Sequence, residues 1–265
     1  MIPILLHIYG SFCIQSYGFF IVVGILLFIF FVKNDEYYKL LKANIHLFRL
    51  LYCAIFAALI GGRMLSGCTD TAFSSWYDVF SPVYPGFSIL GSVLGVLCAV
   101  PLFLKFLNLP ILPCMDVIAT HAPLVQACGR IGCFFAGCCY GIPGNYFWCV
   151  IYSHPLSLAP CGISYHPTQL YSALLLFLIF LLLKKSSYKN YKIVGKQTMS
   201  YLILVSVERF LIDFWRQERF ASILHNSCFF ISDNQIIAGI LIIINILAYA
   251  VQNNYAVFSR KLTNI

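Results

Sequence analysis

The stretch Cys128-Gly129-Arg130-Ile131-Gly132-Cys133-Phe134-Phe135-Ala136-Gly137-Cys138-Cys139-Tyr140-Gly141 sets one permanent cation among glycines, cysteines and aromatics, directly after an apolar run. A guanidinium cannot shed its proton, so at membrane depth Arg130 must face an anion, a carboxylate or water. The glycines, including Gly129, Gly132 and Gly141, let the backbone turn sharply or approach a ligand closely. Two readings fit: a polar functional loop, or a tight loop packed between helices with Arg130 paired to an acid.

Three further groups carry polar chemistry in apolar surroundings. Ala58-Leu59-Ile60-Gly61-Gly62-Arg63 ends a hydrophobic run. Its glycines permit close helix packing, and Arg63 either recognises something or snorkels to the interface. Glu208, Arg209, Asp213 and Arg216 lie in or beside a second run. Arg209 and Asp213 are four apart and share a helix face, so they can pair. Ionisable residues inside a membrane are costly, which favours a functional role over an ion pair that only fixes packing. His166-Pro167-Thr168-Gln169-Leu170-Tyr171 reads as a helix entry from its proline and threonine, with His166 as a capping or interface histidine.

The chain has 12 cysteines. Cys128, Cys133, Cys138, Cys139, Cys149 and Cys161 fall in or near one segment, but none of them is paired at CxxC spacing and the Cys/His pattern of zinc sites is missing. Spacing therefore predicts small apolar fillers or disulfides, no metal and no cofactor.

The elements that must position these groups follow from composition. Of 265 residues, 61% are hydrophobic and only 10% charged, against about 25% charged in soluble domains. An all-α polytopic membrane protein is expected, as a single integral membrane domain over residues 1–265. Seven runs reach or approach the length of about 20 residues that spans a bilayer: Ile14–Val32, Leu47–Ser66, Phe87–Leu107, Pro113–Cys128, Gln169–Leu183, Thr198–Trp215 and Ile236–Val251. The first lacks a small-residue cleavage site and reads as a retained helix.

Orientation comes from the basic residues. With the N-terminus outside and the C-terminus inside, the inner loops hold every lysine, including Lys33, Lys105, Lys184, Lys189 and Lys196. Arg63, Arg130, Arg209, Arg216 and Arg219 are left in or beside the outer half. Arginine without lysine suits recognition of phosphate or carboxylate. The net charge of +8 is explained by topology and does not call for nucleic acid. Residues 129–168 form an outer-side segment carrying the Gly-Arg loop, too apolar to be freely solvated.

Taken in order, these pieces resemble the bacterial prolipoprotein diacylglyceryl transferase family. Tyr17-Gly18, Gly61-Gly62-Arg63, Asp116, Gly129-Arg130-Ile131-Gly132-Cys133-Phe134 with Gly141, His166-Pro167-Thr168-Gln169-Leu170-Tyr171, Arg209-Phe210 with Asp213 and Arg216, and Ser232 with Gln235 each match a family motif. The resemblance implies a seven-helix enzyme of the bacterial inner membrane. It would move a diacylglyceryl group from phosphatidylglycerol to the lipobox cysteine thiol of a prolipoprotein, releasing glycerol phosphate, without a cofactor. Its partners would be phosphatidylglycerol and prolipoprotein signal peptides. It further implies Arg130, Arg209 and Tyr17 as catalytic residues, with Arg130, Arg209 and Arg63 on the lipid phosphate. Asp213, Arg216, Gly129, Gly132, Gly141, His166 and Gln169 would support them.

The sequence also departs from that pattern. The family usually has Asn at the position of Cys133 and Glu at that of Cys138. Leu90-Gly91-Ser92-Val93 stands where a His-Gly-Gly-Leu run is usual, and Asp213 replaces a glutamate. This marks a cysteine-rich branch. Two other readings stay open: a non-catalytic or altered-substrate lipid-binding paralogue, and a thiol-redox membrane protein.

Overall fold

Helix α5, Ile111–Ala136, carries the signature residues. In the computed structural model, which describes residues 4–9, 12–40, 47–69, 89–190 and 194–216 and scattered positions from 235 to 245, the chain falls into two compact units. One comprises Met1–Val32 with Asp116–Ile265, the other Lys33–Met115.

The first unit begins with an antiparallel hairpin, β1 (Ile4–Tyr9) and β2 (Phe12–Gln15), registered Ile4 to Gln15 and Tyr9 to Phe12. Its second strand runs straight into α1, Ser16–Lys33. The first expected span therefore starts at Ser16 and not Ile14, and the protein is mostly helical without being all-α. A second hairpin pairs β3 (Val150–Ile151) with β4 (Ser164–Tyr165). Then come α6 (Thr168–Asn190) and α7 (Lys196–Asp213).

Helices α1 and α5 cross closely because glycines remove the side chains between them. A Cβ on Gly24 would stand 3.0 Å from Cys128 Cβ, and one on Gly132 would stand 3.1 Å from Tyr17 Cα. Phe20 stacks on Phe135 with ring centroids 5.2 Å apart. Lower in the bundle the His121 ring packs edge-on to Phe28 and near Phe180, so α1, α5 and α6 share one core. Asp116, fully buried on α5, caps α7 from outside that helix. Its carboxylate accepts from the Gly195 N–H at 2.6 Å, the Thr198 N–H at 2.8 Å and the Thr198 hydroxyl at 2.6 Å. These satisfy N–H groups that a helix start otherwise leaves open, with the negative charge at the favourable dipole end.

The second unit holds α2 (Glu36–Leu40), α3 (Leu47–Thr69) and α4 (Ile89–Phe106). Here Ala57 and Gly61 on α3 face Gly91 and Gly95 on α4. A Cβ on Gly91 would meet the Gly61 carbonyl oxygen at 2.2 Å, and one on Gly95 the Ala57 carbonyl oxygen at 2.3 Å. This is small-xxx-small packing on both helices. Gly61 thus does what the sequence predicts of it.

Among the described residues, four helices are long and apolar enough to cross a membrane: Ser16–Lys33, Leu47–Gly67, Ile111–Ala136 and Thr168–Ser187. A shorter apolar helix covers Gly91–Phe106. The expected sixth run is helical as α7, but carries Lys196, Glu208, Arg209 and Asp213. The seventh, Ile236–Val251, lies mostly outside the described residues, as do Arg219 and Ser232. On α1, Phe19, Val22, Leu26 and Phe30 form an exposed ridge at helical spacing, the face such a helix turns to acyl chains. These observations make a polytopic membrane protein.

Candidate functional site

Arg130 is on a helix, not in a loop. Residues 111–136 are continuous α-helix despite Pro123 and the two glycines Gly129 and Gly132 near its end, because the tight crossing with α1 fixes the backbone that those glycines free. The helix stops at Gly137, which has φ of +74°. Its N–H donates to the Phe134 carbonyl, and the Cys138 N–H donates back to Cys133 at 3.1 Å. That pair of bonds is a Schellman ending, a motif that commonly brings together the side chains at Cys133 and Cys138. The segment 129–168, expected on the outer side, therefore leaves helix only at Gly137.

Beyond that stop, three pieces of chain are knitted together. The Gly141 N–H donates to the His166 carbonyl, the Ile142 N–H to the Trp215 carbonyl, and the His166 N–H back to Ile142. A Cβ on Gly141 would sit 2.6 Å from the Trp215 oxygen and 2.7 Å from the His166 oxygen, so only glycine fits. Thr168 and Gln169, opening α6, reach back to the same turn. The Thr168 hydroxyl donates to the Cys139 carbonyl at 2.9 Å, and Gln169 Nε2 to the Cys138 carbonyl at 2.7 Å and the Tyr152 hydroxyl at 2.9 Å. His166 is buried and in hydrogen-bond contact with the Tyr171 hydroxyl through Nδ1, at 3.1 Å. Histidine and glutamine are thus framework of the site.

The charges converge inside this frame. Arg209, on α7, has Arg130 and Arg216 as its strongest electrostatic neighbours, followed by Glu208 and Cys139. Glu208 is buried, accepts a short hydrogen bond from the Ser172 hydroxyl, and feels Arg130, Arg209 and Arg216 together. Arg209 Nη1 is buried with no hydrogen-bond partner among the described residues. Arg216 is buried just past α7, its backbone bridged to Gly141. Asp213 is buried one turn before it. The acid that Arg209 feels most is Glu208 beside it, not Asp213 four residues on. Three guanidiniums, Arg216 buried and Arg130 and Arg209 half-buried, repel one another here, and a multivalent oxyanion would offset that repulsion.

Tyr17, in the first turn of α1, lies within electrostatic range of Cys133, Cys138, Arg130 and Cys139. Gly129 and Gly132 bring α5 against α1 at this level, Gly129 near Ile21 and Gly132 near Tyr17. The site therefore unites Tyr17, Gly129, Arg130, Gly132, Gly141, His166, Gln169, Arg209, Asp213 and Arg216. Arg63 is half-buried on α3 of the other unit.

Two arrangements escaped the sequence. Glu208 stands out there as a costly acid in an apolar run, but the spacing pairs Arg209 with Asp213 and leaves Glu208 out of the site. The thiols of Cys133, Cys138 and Cys139 lie within 4.8 Å of one another, although their spacing matches no ligand motif. The Ala136-Gly137 helix stop could have announced the first pair. The cysteines among the described side chains, Cys128, Cys149 and Cys161 included, are free thiols and not disulfides. Hydrogen bonds from the Cys133 and Cys138 thiols, then the Arg216 and Arg130 charges, hold Cys139 well below the ordinary thiol range. Hydrogen bonding with Cys133 and Cys139, then burial, pushes Cys138 up.

Known proteins resemble this chain along most of its length. A family model described as prolipoprotein diacylglyceryl transferase matches residues 3–251. The phosphatidylglycerol–prolipoprotein diacylglyceryl transferase of Clostridium tetani is 30% identical over 244 residues, covering 91% of this chain and 96% of that protein. The enzyme numbered 2 of Clostridium perfringens is 31% identical over 233 residues, covering 86% and 90%. That of Rickettsia canadensis is 30% identical over 225 residues, covering 81% and 83%. With its arginine-lined site reached by a match along almost the whole chain, this protein belongs to the prolipoprotein diacylglyceryl transferase family.

Proposed function

We propose that the protein transfers the diacylglyceryl group of phosphatidylglycerol to the lipobox cysteine of prolipoproteins, and that Arg130, Arg209 and Arg216 hold the lipid phosphate during transfer. The observation that carries this is the convergence of three guanidiniums on Glu208, with the Arg209 Nη1 atom buried and lacking a hydrogen-bond partner among the described residues. The substrate thiol attacks the glyceryl carbon, a C–S bond forms, and the C–O bond breaks with its electrons going to glycerol phosphate. Charge grows on the departing phosphate, so cations aimed at it stabilise the transition state more than the ground state. Each guanidinium offers a fork that matches phosphate oxygens. Tyr17 stands at the same level and positions the reacting end of the lipid. For Arg63 a headgroup role rests on the family resemblance alone. Gly129, Gly132, Gly141, His166 and Gln169 hold the frame, and Asp213 supports Arg216.

The setting is the bacterial inner membrane, with about seven spans, the N-terminus outside, the C-terminus inside, and the whole chain acting as one integral membrane domain. The segment after Arg130 then lies on the outer side, where signal peptides of prolipoproteins arrive. The lysine asymmetry supports this orientation.

The test is transfer of labelled diacylglyceryl from phosphatidylglycerol to a lipobox peptide by purified protein. Losing one buried charged partner typically costs about 2–5 kcal/mol. Arg130→Gln and Arg209→Gln should therefore each lower transfer by at least about 30-fold. Lysine should rescue poorly at both positions, because a point charge does not reproduce the fork. If Arg209 serves only to neutralise its acid, Arg209→Gln with Glu208→Gln will behave like wild type, and the phosphate site is wrong.

A further inference from the structure

We propose that Cys133, Cys138 and Cys139 form a three-thiolate zinc site whose open fourth position takes the substrate's cysteine thiol; this rests on the transferase reading above. The three sulfurs lie within 4.8 Å of one another. Zinc binds thiolate at about 2.3 Å, which sets tetrahedral ligands about 3.8 Å apart, so the cluster needs only a small contraction. Local structure builds it in two steps. The Schellman ending at Gly137 brings Cys138 back over Cys133. Cys139 then adopts φ of +58°, a left-handed conformation that a cysteine takes only when its surroundings impose it. The surroundings are Thr168 and Gln169, whose side chains pin the carbonyls of Cys139 and Cys138. Apolar filling accounts for the first contact. It gives no reason to hold a third thiol beside the pair at the expense of a left-handed backbone.

The donor set and its neighbours fit zinc. Among the described residues no histidine or carboxylate joins the group, and three protein ligands with one open position is the pattern of a reactive zinc site. Three thiolates on a divalent ion leave one net negative charge. Arg130 and Arg216 both act on Cys139 and balance it, as they would the second charge brought by an incoming thiolate. A thiol that coordinates zinc is deprotonated outright. The substrate cysteine would give its proton to water on binding. Its sulfur lone pair would then form the C–S bond while the C–O electron pair leaves with glycerol phosphate. No oxidant or reductant enters.

The experiment uses full-length protein purified in detergent from zinc-supplied cells. One zinc per chain is expected by elemental analysis. Cys133→Ser, Cys138→Ser and Cys139→Ser should each lose it, while Cys149→Ser, a nearby thiol outside the cluster, should keep it. Cobalt-substituted wild type should show thiolate-to-cobalt charge-transfer absorption. A peptide with the lipobox cysteine should raise that absorption by about one third, as three thiolate ligands become four, and its serine analogue should not. Wild type that holds no zinc after incubation with the metal, or whose mass shows a disulfide within the cluster, overturns the site. Zinc with no response to the thiol peptide overturns the fourth-position role. Full transfer by metal-free protein overturns this inference and leaves the transferase reading intact. Zinc and thiol binding without transfer from phosphatidylglycerol overturns the reading beneath it.

Discussion

Gly141 is the residue on which three chain segments depend. A methyl group there would press on the carbonyl oxygens of both Trp215 and His166, which are backbone atoms and cannot rotate away. Gly141→Ala should therefore separate Arg216 from the turn that holds Cys138 and Cys139. Overpacking of this kind costs about 1–3 kcal/mol. Thermal unfolding in detergent should show the loss, with transfer falling further than stability because the arginines move. Asp116 is the contrasting case, a residue far along α5 from Arg130 whose work is purely to start α7. Asp116→Ala leaves two backbone N–H groups and a hydroxyl without their acceptor. Hydrogen bonds to charged groups are worth about 1.5–3 kcal/mol each, so a loss of at least about 2 kcal/mol is expected on chemical unfolding. Arg209 rides on the helix that Asp116 anchors, so activity should fall with it. Asp116→Asn keeps an acceptor and should be milder on both measures.

At the scale of elements, α3 and α4 test the small-residue crossing. Gly91 and Gly61 leave no room for a side chain between the two backbones. Gly91→Leu should force the helices apart. The expected result is loss of folded protein from the membrane fraction, whereas Val93→Leu, on an exposed position of the same helix, should be neutral. Helix α5 gives the opposite lesson. Its proline and glycines read as a break, and an isolated peptide of that sequence would break. In the protein, Gly24 and Gly132 let α1 lie against it closely enough to hold the helix through Arg130 to Ala136. That extension turns Arg130 from a loop residue into one carried on a rigid element, with its backbone fixed by the ladder.

Over the whole molecule, the distribution of lysine makes a prediction about sidedness. Moving lysine-bearing loops across the membrane is what the positive-inside bias opposes. Reporter fusions at Lys189 should report the cytoplasm and fusions near Phe147 the outer side. The opposite result at Lys189 would place the arginine site on the inner face, away from arriving signal peptides, and would sink the functional reading with the topology.

What could be read along the chain was whatever depends on near neighbours. Runs of apolar residues announce helices that cross a membrane, because burial in lipid needs only composition and length. The lysines fall in alternate loops between these runs, a pattern equally local to read. The glycine pair at Gly61 and Gly62 marks close packing, and Arg130, Arg209 and Arg216 stand out because a permanent charge in apolar sequence requires explanation. Tertiary structure decided what depends on residues distant in sequence. Asp116 reaches 79 positions ahead to Gly195, and no spacing rule looks that far. Glu208 became part of the site only when Arg130 arrived from α5. Cys133, Cys138 and Cys139 match no ligand spacing, since what joins them is a helix stop and a left-handed residue held by Thr168 and Gln169. A sequence lists donors and acceptors in order, but the angle at which a backbone turns is set by whatever packs against it.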